Sequence, residues 1–299
     1  MIQSHLGEIY ALITAVFWTI TAVCFELAGK KIGSLSVNYI RLVIAFVFIS
    51  LFTTFSRGMF LPVDATIDTW IWLSISGLIG FVVGDLFLFQ AYLEIGSRIS
   101  MLIMALVPPV TALLGFITMK EMISLSGFLG MLVTIIGIFV VVLVKNPENN
   151  NFKFSKSIKG LTYAFIGALG QSFGLIFSKI GMGDYDPFAA TQIRILSGII
   201  GFTIVFFFWK KWDKLKEAIK TKDVIKYLLI GSLFGPFLGV SFNLLAIQNT
   251  TTGISSTITS IVPVLIIPLS IFILKEKVSP KEMIGAIISV IGVSILFII

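Results

Sequence analysis

The hydrophobic pattern along these 299 residues is one of long runs rather than alternation. Ten stretches of mostly apolar residues lie at about 7–28, 35–55, 70–93, 99–119, 123–144, 158–179, 188–209, 224–247, 253–274 and 280–299. Each is close to the roughly 20 residues that a helix needs to cross a bilayer. Polar residues collect between the runs. The longest connections are 145–157 (KNPENNNFKFSKS), which is rich in asparagine and has no periodicity, and 210–223 (KKWDKLKEAIKTKD).

The chain repeats itself. The stretch from Gly84 to Glu121 returns 155 residues later as Gly239 to Glu276. At that offset Gly80 falls on Gly235, Ala91 on Ala246, Ser100 on Ser255, Pro108 on Pro263 and Lys120-Glu121 on Lys275-Glu276. Gly130 falls on Gly285 and Gly137 on Gly292. At an offset of 153, Tyr10-Ala11 falls on Tyr163-Ala164 and Ile40-Arg41 on Ile193-Arg194, so a two-residue slip belongs to the loop after the second helix of each half. A repeat of this length fixes the architecture before any local reading. The division is a first five-helix unit over 1–144, a polar linker over 145–157 and a second five-helix unit over 158–299. Five is odd, so the second unit enters from the opposite face. The fold class is an all-α membrane protein of ten transmembrane helices in two inverted repeats, a build that places a site near the midplane where the halves meet.

Composition agrees. The chain is 57% hydrophobic and 12% charged, with a mean hydropathy of +1.04, against about 25% charged residues in a soluble domain. The net charge of +7 is no nucleic-acid signature, because the lysines sit in short loops, where they set orientation or meet lipid headgroups. Loops after helices one, three, five, seven and nine hold nearly all of them, which puts both termini outside. Nothing at the N-terminus reads as a cleaved leader. One cysteine, Cys24, and one histidine, His5, exclude an internal disulfide and a Cys/His metal site. No cofactor is implied. There is no nucleophile–His–acid set for a membrane enzyme, and no GxxxxGK[ST] motif for ATP-driven pumping.

Together these features resemble the EamA-type branch of the drug/metabolite transporter superfamily. The carrying residues are Trp18, Arg41, Gly84-Asp85, Ser100, Pro108, Lys120-Glu121, Gly130 and Gly137, with Arg194, Ser255, Pro263, Lys275-Glu276, Gly285 and Gly292 in the second half. The resemblance implies a carrier in the cytoplasmic membrane with a central cavity and alternating access, a family that exports amino acids, other metabolites and drugs. It also implies cytoplasmic termini, against the lysine distribution. Small multidrug relatives carry a glutamate in mid helix one. This chain has none between Ala11 and Phe25.

Polar residues inside apolar runs are costly in lipid and mark candidate sites. Thr14, Trp18 and Thr21 share one face of helix one, matched in helix six by Gly167, Gln171, Gly174 and Ser178. They line a shared cavity or serve close helix packing. Glu26, Arg41 and Asp85 lie toward one face of the membrane. Asp85 binds a proton or a substrate ammonium and Arg41 a carboxylate, or the two neutralise each other, or Arg41 and Glu26 snorkel to headgroups. Arg194 matches Arg41, but Val240 stands where Asp85 would be and Lys179 where Glu26 would be. Asn243, Gln248, Ser256 and Thr259 are candidates for hydrogen bonds to substrate or between helices. Pro108, Pro109, Pro263 and Pro268 free backbone carbonyls, so Pro108, Pro109, Pro263, Gly84 and Gly239 are hinge candidates. Glu121 and Glu276 read as loop braces. The expected activity is secondary transport of small metabolites, foremost export of amino acids or related zwitterions. Multidrug or sugar carriage and a channel or non-transporting sensor are the alternatives. The expected partners are a small-molecule substrate and the lipid bilayer, with proton coupling through Asp85 and a monomeric or homodimeric state left open.

Overall fold

The computed structural model describes residues 5–119, 124–145, 152–154, 156–250 and 252–296. Nine helices among them are long and apolar enough to cross a membrane: Leu6–Ile32, Ser34–Arg57, Ile67–Ile95, Ser97–Ile117, Leu125–Val142, Ile158–Met182, Pro187–Trp209, Lys222–Asn249 and Ile254–Phe272. The helix Pro280–Leu296 completes ten. They are numbered one to ten below. Spans one, three, five, seven and nine end at one face of the bundle, the odd-loop face; span one begins and span ten ends at the other, the termini face. The protein is a multi-pass integral membrane protein, and its outward residues, such as Phe55, Phe207 and Phe272, are the apolar ones that lipid solvates.

Local chemistry sets the boundaries. Asp186 caps span seven by accepting the Ala189 N–H at 2.8 Å, with Pro187 at the first helical position. Spans one and two, and three and four, are joined by single glycines at positive φ, Gly33 (79°) and Gly96 (83°). The two-residue slip of the repeat falls where an extra surface helix, Trp212–Lys220, buries Leu215 and Ala218 and leaves its lysines outward. The linker expected to be irregular begins with structure: Leu143–Lys145 and Phe152–Phe154 pair as an antiparallel ribbon, in register Leu143 to Phe154. Most of the rest of it, and Lys120-Glu121, lie outside the described residues.

Glycines bring the helices together. A methyl group on Gly170 of span six would lie 2.5 Å from the Cα of Gly84 in span three, and one on Gly174 would lie 3.0 Å from the Cα of Gly80. The inverted counterpart is span one on span eight, where a methyl on Gly239 would meet the Trp18 ring at 3.0 Å and one on Gly235 the Thr21 methyl at 2.7 Å. Backbones this close are the usual driving contact between helices in lipid. Gly174→Ala is expected to cost about 2 kcal/mol by overpacking, read as a lower thermal midpoint of the purified protein. Spans five and ten close the symmetry. Thr134 donates to the Ser289 carbonyl at 3.5 Å, and Ser289 donates to the Thr134 carbonyl at 3.4 Å. Ser289 lies 155 residues after Thr134, so this pair sits on the pseudo-twofold axis.

The same offset relates two irregularities. Leu78–Gly84 in span three and Leu233–Gly239 in span eight are both π-helical. The Asp85 N–H reaches back to the Gly80 carbonyl, and the Val240 N–H to the Gly235 carbonyl. The sequence expectation placed simple kinks here. The chain instead inserts one widened turn in each half, a feature that gathers at functional sites.

Candidate functional site

The two widened turns flank a cavity of about 140 Å³ between the halves. It takes wall residues from spans one to four and six to nine. All eight predicted binding residues lie on it: Trp18, Thr21, Arg41 and Asp85 from the first half, Gln171, Arg194, Asn243 and Thr259 from the second. Of the hinge candidates, Pro108 and Pro263 line it too. Pro109 follows a short 3₁₀ turn, Met104–Leu106, and span nine breaks into Thr252–Thr259 and Val262–Phe272 just before Pro263. Gly84 and Gly239 end the π turns.

The first-half charges form a closed set. Arg41 is 3% exposed and Asp85 5%. The Arg41 Nη2 donates to Asp85 Oδ2. Gln171 Nε2 donates to the other oxygen, Oδ1, at 2.6 Å and to the Gly80 carbonyl at 3.2 Å. Asn38, one turn before Arg41, accepts from its Nε at 3.1 Å and donates to the Asp85 backbone carbonyl at 3.1 Å. The guanidinium carbon sits 4.5 Å from the Phe89 ring centroid and 5.6 Å from those of Phe25 and Phe81. A buried pair is held only when its remaining donors and acceptors are met in this way. Arg41 therefore does not snorkel. Neither does Glu26, which is fully buried.

Glu26 also leaves the expected charge cluster. It pairs with Lys30 and accepts the Ser97 N–H at 2.6 Å, at the odd-loop face. There the turn between spans three and four is clasped from several sides. Arg98 donates to Glu276 Oε2 at 3.0 Å and pairs with Glu282, joining the first half to the second. Glu276 thus braces its loop, but through Arg98 rather than through the adjacent lysine.

Arg194 differs from Arg41. It is 4% exposed and lies in the cavity wall. Its guanidinium carbon is 4.9 Å from the Phe81 centroid, the ring Arg41 also uses. Its Nε has no hydrogen-bond partner, and no ion pair reaches it among the described residues. Thr21 Oγ1, on the opposite wall, is buried and unpartnered as well. Other predicted residues do not reach the cavity. Thr14 bonds back to the Tyr10 carbonyl, Gly167 packs on Leu88, Ser178 bonds Ser76, and Gln248 donates to the Tyr185 carbonyl at 3.2 Å.

The twofold build also emerges from comparison with known sequences. The profile of the EamA-like transporter family matches residues 5–143 and 158–298. The chain belongs to the EamA-like transporter family. Among curated relatives, an uncharacterized transporter, YetK, of Bacillus subtilis (strain 168) is 42% identical over 119 residues, 40% of this chain and 35% of that protein. An uncharacterized transporter of Clostridium kluyveri is 25% identical over 179 residues, 59% of this chain and 56% of that protein. The matched segments thus span less than two thirds of either relative. A solved structure described as a crystal structure of protein superposes with a TM-score of 0.60 at 16% identity, over 97% of this chain and 96% of that one, so the two share a fold. The residues that sequence reasoning passed over are the arginine cage (Asn38, Phe81, Phe89) and the clasp at Arg98. Asn38 had a signal, being one helical turn from Arg41; the aromatics had none among 28 phenylalanines.

Proposed function

We propose that the chain is a secondary carrier that exports small carboxylate-bearing metabolites, the wider class that includes the amino acids expected from the sequence, by alternating access. The observation that supports it is a cavity shared by both halves at the depth of the widened turns, walled by aromatic and aliphatic side chains and holding a buried arginine whose Nε has no hydrogen-bond partner. Concave, mostly apolar sites with a few placed polar groups suit small molecules. The family supplies the transporter class, and the inverted halves supply a means of exposing one site to each face in turn. Cation-drug carriage is less favoured, since the one acid among the described cavity residues has both oxygens engaged by Arg41 and Gln171. Proton coupling through Asp85 requires those two donors to withdraw in another state of the cycle.

Counterflow in proteoliposomes tests this reading. Saturable uptake of a labelled carboxylate-bearing metabolite, accelerated by the same unlabelled compound inside, is the expected result. Flux that stays linear with concentration points to a channel. No flux of any amino acid, organic acid, sugar or drug in a well-folded preparation removes the carrier reading.

A further inference from the structure

The geometry points to Arg194 as the anion-recognition residue of this cavity, and to a small monocarboxylate with an apolar body as its preferred ligand. The inference rests on the carrier reading above, which it makes more specific.

The first ground is an unmet charge. A guanidinium carries five donors and accepts nothing. Buried without an anion it costs far more than an exposed one. Arg194 is buried, lines the cavity, and sets its guanidinium over the face of Phe81. Its Nε is orphaned. Asp85 acts on it through space but forms no ion pair with it, giving one oxygen to Arg41 and the other to Gln171.

The second ground is the repeat itself. Arg41 and Arg194 occupy corresponding positions. Around Arg41 the chain supplies Asp85 and Asn38; around Arg194 the corresponding positions are Val240 and Thr191. Thr191 spends its hydroxyl on the Pro187 carbonyl. The arginine is thus present twice and its acid once, and Val240, at the position that corresponds to Asp85, stands in the same cavity wall as Arg194. A carboxylate from a ligand restores the pattern of the first half, and the planar guanidinium fork fits it with two parallel hydrogen bonds.

The third ground is charge balance. The described cavity residues carry Arg41, Arg194 and Asp85, a formal sum of +1. A monoanion neutralises it, and a phosphate dianion overshoots. An ammonium group finds no free acid. Thr21, with its unpartnered hydroxyl, and Asn243 are left for one further polar group, Thr259 giving its hydroxyl to the Ser255 carbonyl at 3.0 Å, while Leu175, Val240 and Trp18 face the apolar body.

The test uses matched sets in which only the head changes. One set is isocaproate, isocaproamide and leucine; a second is phenylacetate, phenylacetamide and phenylglycine; a third is butyrate, butyramide and its amino acid. Equilibrium binding to the detergent-purified full chain and counterflow in proteoliposomes are measured side by side. In wild type, at least one acid is expected to bind about 10- to 100-fold more tightly than its amide, the range for a charge-assisted hydrogen bond, and more tightly than the amino acid. Arg194→Gln is expected to bring the acid-to-amide ratio close to one. Because Arg194→Gln could fail through misfolding, Val240→Asp is the second variant. It supplies the missing acid internally, should fold, and should abolish the acid preference while leaving amide binding measurable. An acid preference that survives Val240→Asp, or the absence of any acid preference in wild type, overturns the inference. Acid-selective binding without flux keeps Arg194 as an anion site and removes the carrier reading. Flux without acid preference does the reverse.

Discussion

Arg41→Gln is expected to destabilise the protein by about 3–5 kcal/mol, and adding Asp85→Asn is expected to return most of that loss. Removing one member of a buried ion pair strands the other charge, whereas removing both leaves neutral groups of similar shape. The geometry makes the case unusually direct. Both residues are buried, each Asp85 oxygen has one side-chain donor, and Arg41 is wrapped by Phe25, Phe81 and Phe89. Gln at 41 withdraws the donor from Oδ2 and leaves an uncompensated carboxylate among aromatic rings. Asn at 85 keeps the bond from Gln171 to its carbonyl oxygen and asks nothing of position 41.

Thermal unfolding of the purified single and double variants gives the coupling energy between the two positions. A pair that merely shares the cavity predicts additive losses. A structural pair predicts a double variant far more stable than the sum of the singles, and it also predicts that Asp85 is no resting proton carrier in this conformation. Additive losses would mean that neither charge depends on the other for its burial, and Asp85 would again stand as a candidate proton site.

How far the sequence carried this picture varies from residue to residue. The ten spans and the inverted halves were legible because long apolar runs and a fixed offset are properties of the chain alone. The binding candidates were legible for the same reason: a polar side chain within an apolar run has few places to go but inward, and Trp18, Gln171, Arg194 and Asn243 all lie on the one cavity. What sorted them was not legible. Val240 in place of Asp85 already set Arg194 apart from Arg41, but only packing tells that Arg41 is satisfied and that the Arg194 Nε is not. Thr14 and Trp18 share a helix face, yet Thr14 spends its hydroxyl on its own backbone. Gly80 and Gly84 signalled a weak point in span three without saying that it takes the form of a widened turn, since π and α geometry differ by one residue of hydrogen-bond spacing that composition does not encode. Glu26 went astray because depth along a helix was legible but rotation was not: it turns to Lys30 and Ser97 rather than toward Asp85.

That rotation matters for movement. With Glu26, Glu276 and Glu282 gathered on the turn at Gly96–Arg98, the two halves are tied together at the odd-loop face by a cation shared between two acids of the second half. Arg98→Gln removes the cation and leaves Glu276 and Glu282 facing each other, so the closed arrangement loses two charge-assisted bonds and gains a like-charge repulsion. Such bonds contribute about 1.5–3 kcal/mol each when buried, less here because both acids keep some exposure. A shift of about 1.4 kcal/mol is tenfold in a two-state population. Arg98→Gln is therefore expected to raise the reactivity of a cysteine placed at Met104, in the cavity wall, at least about tenfold toward an impermeant maleimide supplied at the odd-loop face, in a Cys24→Ala background. Reactivity from the termini face should fall in step, because alternating access makes the two openings compete for one population. A rate that rises from both faces would mean that the variant has loosened the bundle. A rate unchanged from either would mean that the clasp at Arg98 contributes nothing to closure, and that the seal lies deeper, where Tyr92 donates to the Met101 sulfur at 3.3 Å.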